Sequence, residues 1–333
     1  MKTDFLSKIY IVCPANSTTG GPEALHQLSH KLKTVLNYDV RMFYTNKKKG
    51  LNPKPEIYNI YYTKETSEII DKENDVLIIP ESLTYYIYKY TQIQKIVWWL
   101  SVDFYAICMK NRHRGLNFYV SKYILRKKEI KEYLLDDLPN VYHWAQSYRS
   151  YLYLLKKGIP EEKIARVCDY MNPIFISKDN QEANINHKEN IIIYNPKKGK
   201  KAIDSIKKQS KGYPWIPIQG MTPLQVSNLM KKAKLYIDFG YNPGRDRMLR
   251  ESALMNCIII SGTGGSSKFI QDLNIPDKYK FEYSKAKILE IVAKIKEVLN
   301  NYDTCISDFN TYKEEIISEE KLFENQLRKF FNE

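Results

Sequence analysis

The sequence predicts an α/β protein of two domains, each a parallel sheet covered by helices on both faces. Short, continuously apolar runs bounded by Pro, Gly or charge recur along the chain, as strands buried on both faces do. Amphipathic stretches lie between several of them, which is the alternation of βαβ units. The pattern stops in a polar segment near the middle and restarts beyond it, and 333 residues are comfortable for two cores.

The first strand is expected over residues 9–13, followed by an amphipathic helix over 24–36 with Leu25, Leu28, Leu32 and Val35 or Leu36 on one face. Further strands are expected at 39–44, 76–79, 95–100, 118–120 and 141–142, so that this half reads as a Rossmann-like domain. Residues 171–189 hold Asn172-Pro173 and the polar run 177–182, a composition that suits a linker. Strands resume at 191–194, 215–218, 235–239 and 257–260, with a helix over 246–255 and a helical period over 284–299. The predicted division is an N-terminal domain over 1–172, a linker over 173–189, a C-terminal domain over 190–314 and a closing helix over 315–333. Two such domains would leave a cleft between them.

The formal charge is +14, from 52 Lys+Arg against 38 Asp+Glu. Such a surface favours nucleic acid, an anionic membrane or phosphorylated substrates. Richness in Lys, Asn, Ile and Tyr, as an AT-rich coding bias produces, gives the same charge without a function. The basic residues are dispersed over 47–49, 126–128, 156–157 and 207–208, with no nucleic-acid-binding module around them. Five scattered cysteines without a CxxC pair fit a reducing compartment, and Cys13 and Cys257 border apolar runs where a thiol acts as a small buried hydrophobe. The apolar run 9–13 is too short for a signal peptide, and no segment is long enough to cross a bilayer. A cytoplasmic chain with at most peripheral contact at the inner face of the plasma membrane is expected.

The residues suited to chemistry cluster at strand ends. Gly20 and Gly21 lie between the first strand and the first helix, where glycine permits close backbone approach and the helix N-terminus favours an anion. The loop is neither a P-loop nor GxGxxG. Lys197 and Lys198 follow the strand 191–194, and Arg245, Asp246, Arg247, Arg250 and Glu251 follow the strand 235–239, with Gly264 in a Gly-rich turn after 257–260. Open α/β sheets bind ligands at such carboxyl-terminal strand ends, and the guanidinium fork matches phosphate oxygens. Asp238 is either part of this set or a structural carboxylate capping the turn after Phe239. His26 and His30 share a helix face without a third metal ligand, so core or surface roles are expected and no metal site. The Tyr-rich segments 58–62 and 85–90 suit core packing better than sugar stacking.

Three segments carry a resemblance: WWLSVD at 98–103, NPKKG at 195–199 and DFGYNPGRDRMLRE at 238–251. Together with the Gly-Gly loop GGPEALHQL at 20–28, they resemble GT-B glycosyltransferases, and more narrowly those that build bacterial capsule and lipopolysaccharide. The resemblance runs over nearly the whole chain. It implies a metal-independent transferase that moves a hexosyl or related sugar from a nucleotide-sugar to a glycan or lipid-linked acceptor, with no cofactor. It implies a donor set of Gly20, Gly21, Lys197, Lys198, Arg245, Arg247, Arg250, Glu251 and Gly264, with Glu251 on the ribose hydroxyls and the arginines on the diphosphate. An inverting reaction needs a base for the acceptor hydroxyl, and Asp103, Glu23 and His113 are the candidates in that order. The usual retaining pattern places two glutamates with seven residues between them, but Pro243 stands eight positions before Glu251, where the first would be, which leaves the stereochemistry open. The alternative is a basic nucleic-acid-binding protein, or a transferase acting on nucleic acid. It predicts affinity that collapses with salt.

Overall fold

The structure is a computed structural model that describes residues 7–114, 116–124, 131–135, 138–176 and 188–331. The polar run 177–182 and the basic cluster 126–128 lie outside the described residues. The chain divides into two compact units: Met1–Asp169 with Lys321–Glu333, and Tyr170–Glu320.

The first unit is built on a six-stranded parallel sheet in the order β2-β1-β3-β4-β5-β6. Its strands are β1 (Lys8–Pro14), β2 (Asp39–Thr45), β3 (Val76–Pro80), β4 (Gln94–Trp99), β5 (Val141–Ala145) and β6 (Ile164–Arg166). The central strands read as continuous apolar runs because helices or long loops cover both faces, and Ile9 to Cys13 and Val76 to Ile79 are fully or almost fully buried. Helix α1 (Gly20–Thr34) follows β1 and buries Leu25, Leu28 and Leu32. Helix α2 (Val102–His113) follows β4 and is capped by Ser101, whose hydroxyl accepts from the Phe104 N–H. Helix α3 (Tyr148–Lys156) follows β5 and opens in a capping box between Ser147 and Ser150.

The second unit holds a five-stranded parallel sheet in the order β11-β10-β9-β7-β8. Its strands are β7 (Glu189–Tyr194), β8 (Trp215–Pro217), β9 (Ala233–Asp238), β10 (Ile258–Gly262) and β11 (Lys280–Phe281). Between them run α4 (Lys200–Gln209), α5 (Pro223–Lys232) and α6 (Arg247–Leu254), and α7 (Ile288–Asn300) follows the last strand. The final helix α8 (Asn310–Phe331) contributes its residues through Glu320 to this unit and those from Lys321 to the first.

One expected strand is overturned. Residues 118–120 are helical, within Leu116–Tyr119 and the π-type turn Val120–Ile124. A short apolar run does not by itself separate strand from helix, and here no sheet covers it: Tyr119, Tyr123 and Ile124 are exposed, and Tyr119 stacks on Tyr123 one helical turn away. The edge strands β6 and β11 have no counterpart among the expected ones. They are two or three residues long and only partly apolar, which erases the signal.

Candidate active site

In the second unit, β10, β9 and β7 are adjacent, so the loops after them lie side by side at one edge of the sheet. Their backbones meet directly. Gly199 has φ +56°, and a Cβ there would stand 2.5 Å from the Phe239 carbonyl group. At Gly265, with φ +68°, it would stand 2.0 Å from the Asn242 oxygen. Gly264 presses against the Gly240 carbonyl, where a Cβ would come to 3.0 Å. Asn242 joins two of the loops, since its carbonyl accepts from the Ser266 N–H at 2.7 Å and its side-chain amide donates to the Ser267 hydroxyl at 2.8 Å.

Lys198 sits at the centre of a polar cluster on this edge. Its ammonium donates to Asn242 Oδ1 at 2.7 Å, to Asp238 Oδ2 at 3.4 Å and to the Asp246 carboxylate. Asp238 is buried, and its other oxygen accepts from the Gly240 N–H at 2.7 Å, so it caps the turn after Phe239. Burial raises the proton affinity of Asp238 and Lys198 opposes that shift. Burial works against the charge on Lys198, but Asp246 and Asp238 outweigh it and hold the lysine protonated. Lys197 points to solvent.

Asp246 also caps α6, accepting from the Leu249 N–H at 3.3 Å. This fixes the helix on which the remaining candidates lie. Arg247 and Glu251 share one face, with Nε 3.8 Å from Oε1. Arg245 and Arg250 instead converge on Glu319 of α8, at 2.5 and 2.8 Å, and Arg250 is fully buried. Geometry thus brings Arg247, Glu251 and Lys198 to the loop edge and ties Arg245 and Arg250 into a buried ion pair. Glu319 has no trace in the sequence beyond being an acid on an amphipathic helix.

In the first unit, Gly20 and Gly21 form the first turn of α1, whose N-cap Thr19 makes no side-chain cap. A Cβ on Gly21 would meet only Leu100, at an ordinary 3.6 Å. The fold itself therefore does not demand glycine at that position. Glu23 is buried and accepts from the Tyr61 hydroxyl at 3.0 Å, and Tyr58 donates to the Thr19 carbonyl. These two tyrosines pack the helix start. Asp103, in the first turn of α2, is held by Arg149 through both oxygens at 2.5 and 3.0 Å. His113 lies in the last turn of α2 with its ring 6.5 Å from Phe118. Glu81, just past β3, was not among the expected residues although an acid directly after an apolar run was a visible signal. It accepts from the Leu100 N–H at 3.1 Å, and burial pushes its carboxyl up to about 8 against backbone hydrogen bonds from Leu100 and Ser101.

His26 is fully buried, bonded to the Pro22 carbonyl and the Tyr44 hydroxyl, and burial lowers it to about 4. His30 accepts from the Tyr62 N–H. Among the described residues no helix is long and apolar enough to cross a membrane.

No family model and no curated protein sequence matches the chain. Solved structures do. A glycosyltransferase from Rickettsia africae superposes with a TM-score of 0.61 at 13% identity, covering 98% of this chain and 97% of that one. Anabaena HepE in complex with UDP-glucose gives 0.59 at 8% identity, over 98% and 100%. WaaG, a glycosyltransferase involved in lipopolysaccharide biosynthesis, gives 0.57 at 10% identity, over 96% and 98%. A fold hosts many activities, so identities this low speak for architecture: the chain has the GT-B fold of these glycosyltransferases, two Rossmann-like units of parallel sheet and flanking helices.

Proposed function

We propose that the chain is a glycosyltransferase that moves a sugar from a nucleotide-sugar donor to a glycan or lipid-linked acceptor of a bacterial surface polysaccharide. The observation that carries this is the end-to-end likeness to glycosyltransferase structures, one of which holds UDP-glucose, combined with a basic, loop-rich edge on the second unit. In this reading the donor lies over the loops after β7, β9 and β10. Glu251 accepts two hydrogen bonds from the ribose diol. Arg247 and Lys197 face the diphosphate, and Lys198 holds Asp238 and Asp246 in place beneath it. Arg245 and Arg250 support the site from behind through Glu319.

The acceptor oxygen attacks the anomeric carbon, the bond from that carbon to the diphosphate oxygen breaks, and the acceptor proton passes to a base. Asp103 is the first candidate base because it stands in the first turn of the helix that follows β4 and keeps a third of its side chain exposed. Its pair with Arg149 must then open or turn as acceptor enters. Glu23, buried on Tyr61, and His113 are the further candidates. The alternatives, a basic nucleic-acid-binding protein or a transferase acting on nucleic acid, have no supporting observation among the described residues.

The test is nucleotide-dependent thermal stabilisation and turnover with a panel of nucleotide-sugars. Absence of both would dismiss the proposal. Glu251→Ala is expected to abolish the stabilisation with the fold intact, and normal nucleotide binding by that variant would remove Glu251 from the site. Asp103→Asn is expected to lower kcat by about 100-fold or more with KM little changed.

A further inference from the structure

Strand β6 is the last in the order of the first sheet, and a groove of about 780 Å³ runs along it. Tyr151 and Glu161 line it on the α3 side, Asn325 and Phe330 on the α8 side, and every lining residue belongs to the first unit. Its size is that of ligand pockets, roughly 300–1,000 Å³. Two features shape it. Ala165 stands opposite Trp144 in the ladder and offers only a methyl group to the space before α8. Val167 donates its N–H to the Ala145 carbonyl, so by alternation the Ile164 carbonyl and the peptide groups of Arg166 turn away from β5. The lining is aromatic and polar, with little aliphatic surface. Tyr142 meets Phe330 edge to face at 6.0 Å, while Tyr151 stacks on Tyr148 beside the Arg166 guanidinium. Planar polar groups stand between the rings. The Glu161 carboxylate accepts from the Tyr151 hydroxyl, and the Gln326 oxygen accepts from the Cys168 N–H at 2.8 Å, which leaves the Gln326 amide to donate. Lys163, Arg166 and Lys329 against Glu161 and Glu162 bring the lining close to neutral, so a polyphosphate or a nucleic acid has no advantage there.

We infer that this groove binds saccharide units of an uncharged glycan strand. A pyranose presents C–H faces that pack on aromatic rings, and hydroxyls around its rim that bond to carboxylates, amides and guanidinium groups. The groove offers both. A lipid or an apolar peptide would find only Ile164, Ala165 and Leu322 as aliphatic contacts. The purpose of the groove, though not its geometry, rests on the proposed transferase reading. Arg149, which holds Asp103, and Tyr151 lie on the same helix α3. A glycan seated at the sheet edge would thus be held on the unit that carries the candidate base while its end is extended.

The experiment is binding of the full chain to an array of neutral and acidic oligosaccharides from bacterial capsules and lipopolysaccharides, followed by tryptophan fluorescence titration with the strongest binder. Neutral oligosaccharides should bind at millimolar concentration or below, with a change in emission because Trp144 packs on Phe330. Asn325→Tyr, at an exposed position whose larger side chain fills the groove, and Tyr151→Ala should each weaken binding roughly tenfold. Thermal unfolding of the two variants checks that they fold. Nucleotide-dependent stabilisation measured on the same samples reports the proposed donor site separately. Glycan binding that the variants lose, without that stabilisation, would leave the groove standing and remove the transferase reading; stabilisation without glycan binding would remove the groove alone. Binding confined to acidic oligosaccharides, or folded variants that bind like the parent, would overturn the inference. So would a strand-forming peptide from a display library that binds the parent but not Asn325→Tyr while no oligosaccharide binds, which would make the edge a peptide site.

Discussion

Glu81 and Glu319 show how differently two buried carboxylates behave. Glu81 is held by backbone N–H groups, and burial raises its carboxyl from 4.5 to about 8. A folded-state value above the unfolded one means that the group's contribution to stability is complete below pH 4.5 and is lost as pH rises toward 8. The slope for one proton is at most about 1.4 kcal/mol per pH unit. Glu81→Gln should therefore flatten the dependence of unfolding free energy on pH between those limits, as urea titrations at a series of pH values would record. A parallel pair of curves would refute it. Glu319 is paired by Arg245 and Arg250, and removing one partner of a buried ion pair leaves an uncompensated charge. Glu319→Gln should cost about 3 kcal/mol or more in denaturant unfolding. None of these pairings was legible in the sequence. Asp103 and Arg149 are 46 residues apart, and Glu319 reaches 69 and 74 residues to its arginines. Contacts at such separations leave no periodicity to read, whereas the local sets at 197–198 and 245–251 could be named from their place at strand ends.

At the scale of elements, the loops of the second unit are defined by backbone contact. Gly199→Ala and Gly265→Ala should each be destabilising by more than about 2 kcal/mol, because the strain of a positive φ adds to a clash with fixed backbone. Gly220 also has positive φ, at +67°, but open space around its Cβ. Gly220→Ala should cost only the strain, about 1 kcal/mol. Thermal denaturation of the three variants separates the effects, and equal losses would show that packing between loops contributes nothing. Apart from the edge strands β6 and β11, the strands of both sheets were legible because burial on two faces writes itself as an uninterrupted apolar run, as at 76–79 and 257–260. Residues 118–120, Phe-Tyr-Val, are also a run of large apolar and aromatic residues but have no sheet to join, and only their surroundings decide between strand and helix.

For the whole molecule, the charge of +14 is a statement about association rather than fold. Under the proposed function, donor binding should stabilise the chain by about 2.7 kcal/mol when free nucleotide-sugar is a hundredfold above its Kd. Calorimetry with and without donor would show this as a rise in the transition of the second unit. The division into two sheets was legible from the restart of the apolar pattern at residue 191. The distribution of α8 over both units was not, since its amphipathic period is the same along its length.

That helix has a consequence for how the chain is made. Tyr312, Ile316 and Glu319 complete the second unit, while Phe323 stacks on Trp98 and Phe331 lies against Tyr38 and Trp144 in the first. The sheet that leaves the ribosome first must therefore wait for residues 323–331, made after the whole second unit, before Trp98 and Trp144 are covered. Through that interval the nascent first unit presents bare indoles, the kind of surface that chaperones recognise. A chain ending at residue 320 should yield a folded second unit beside a first unit that aggregates or is proteolysed, as limited proteolysis would reveal.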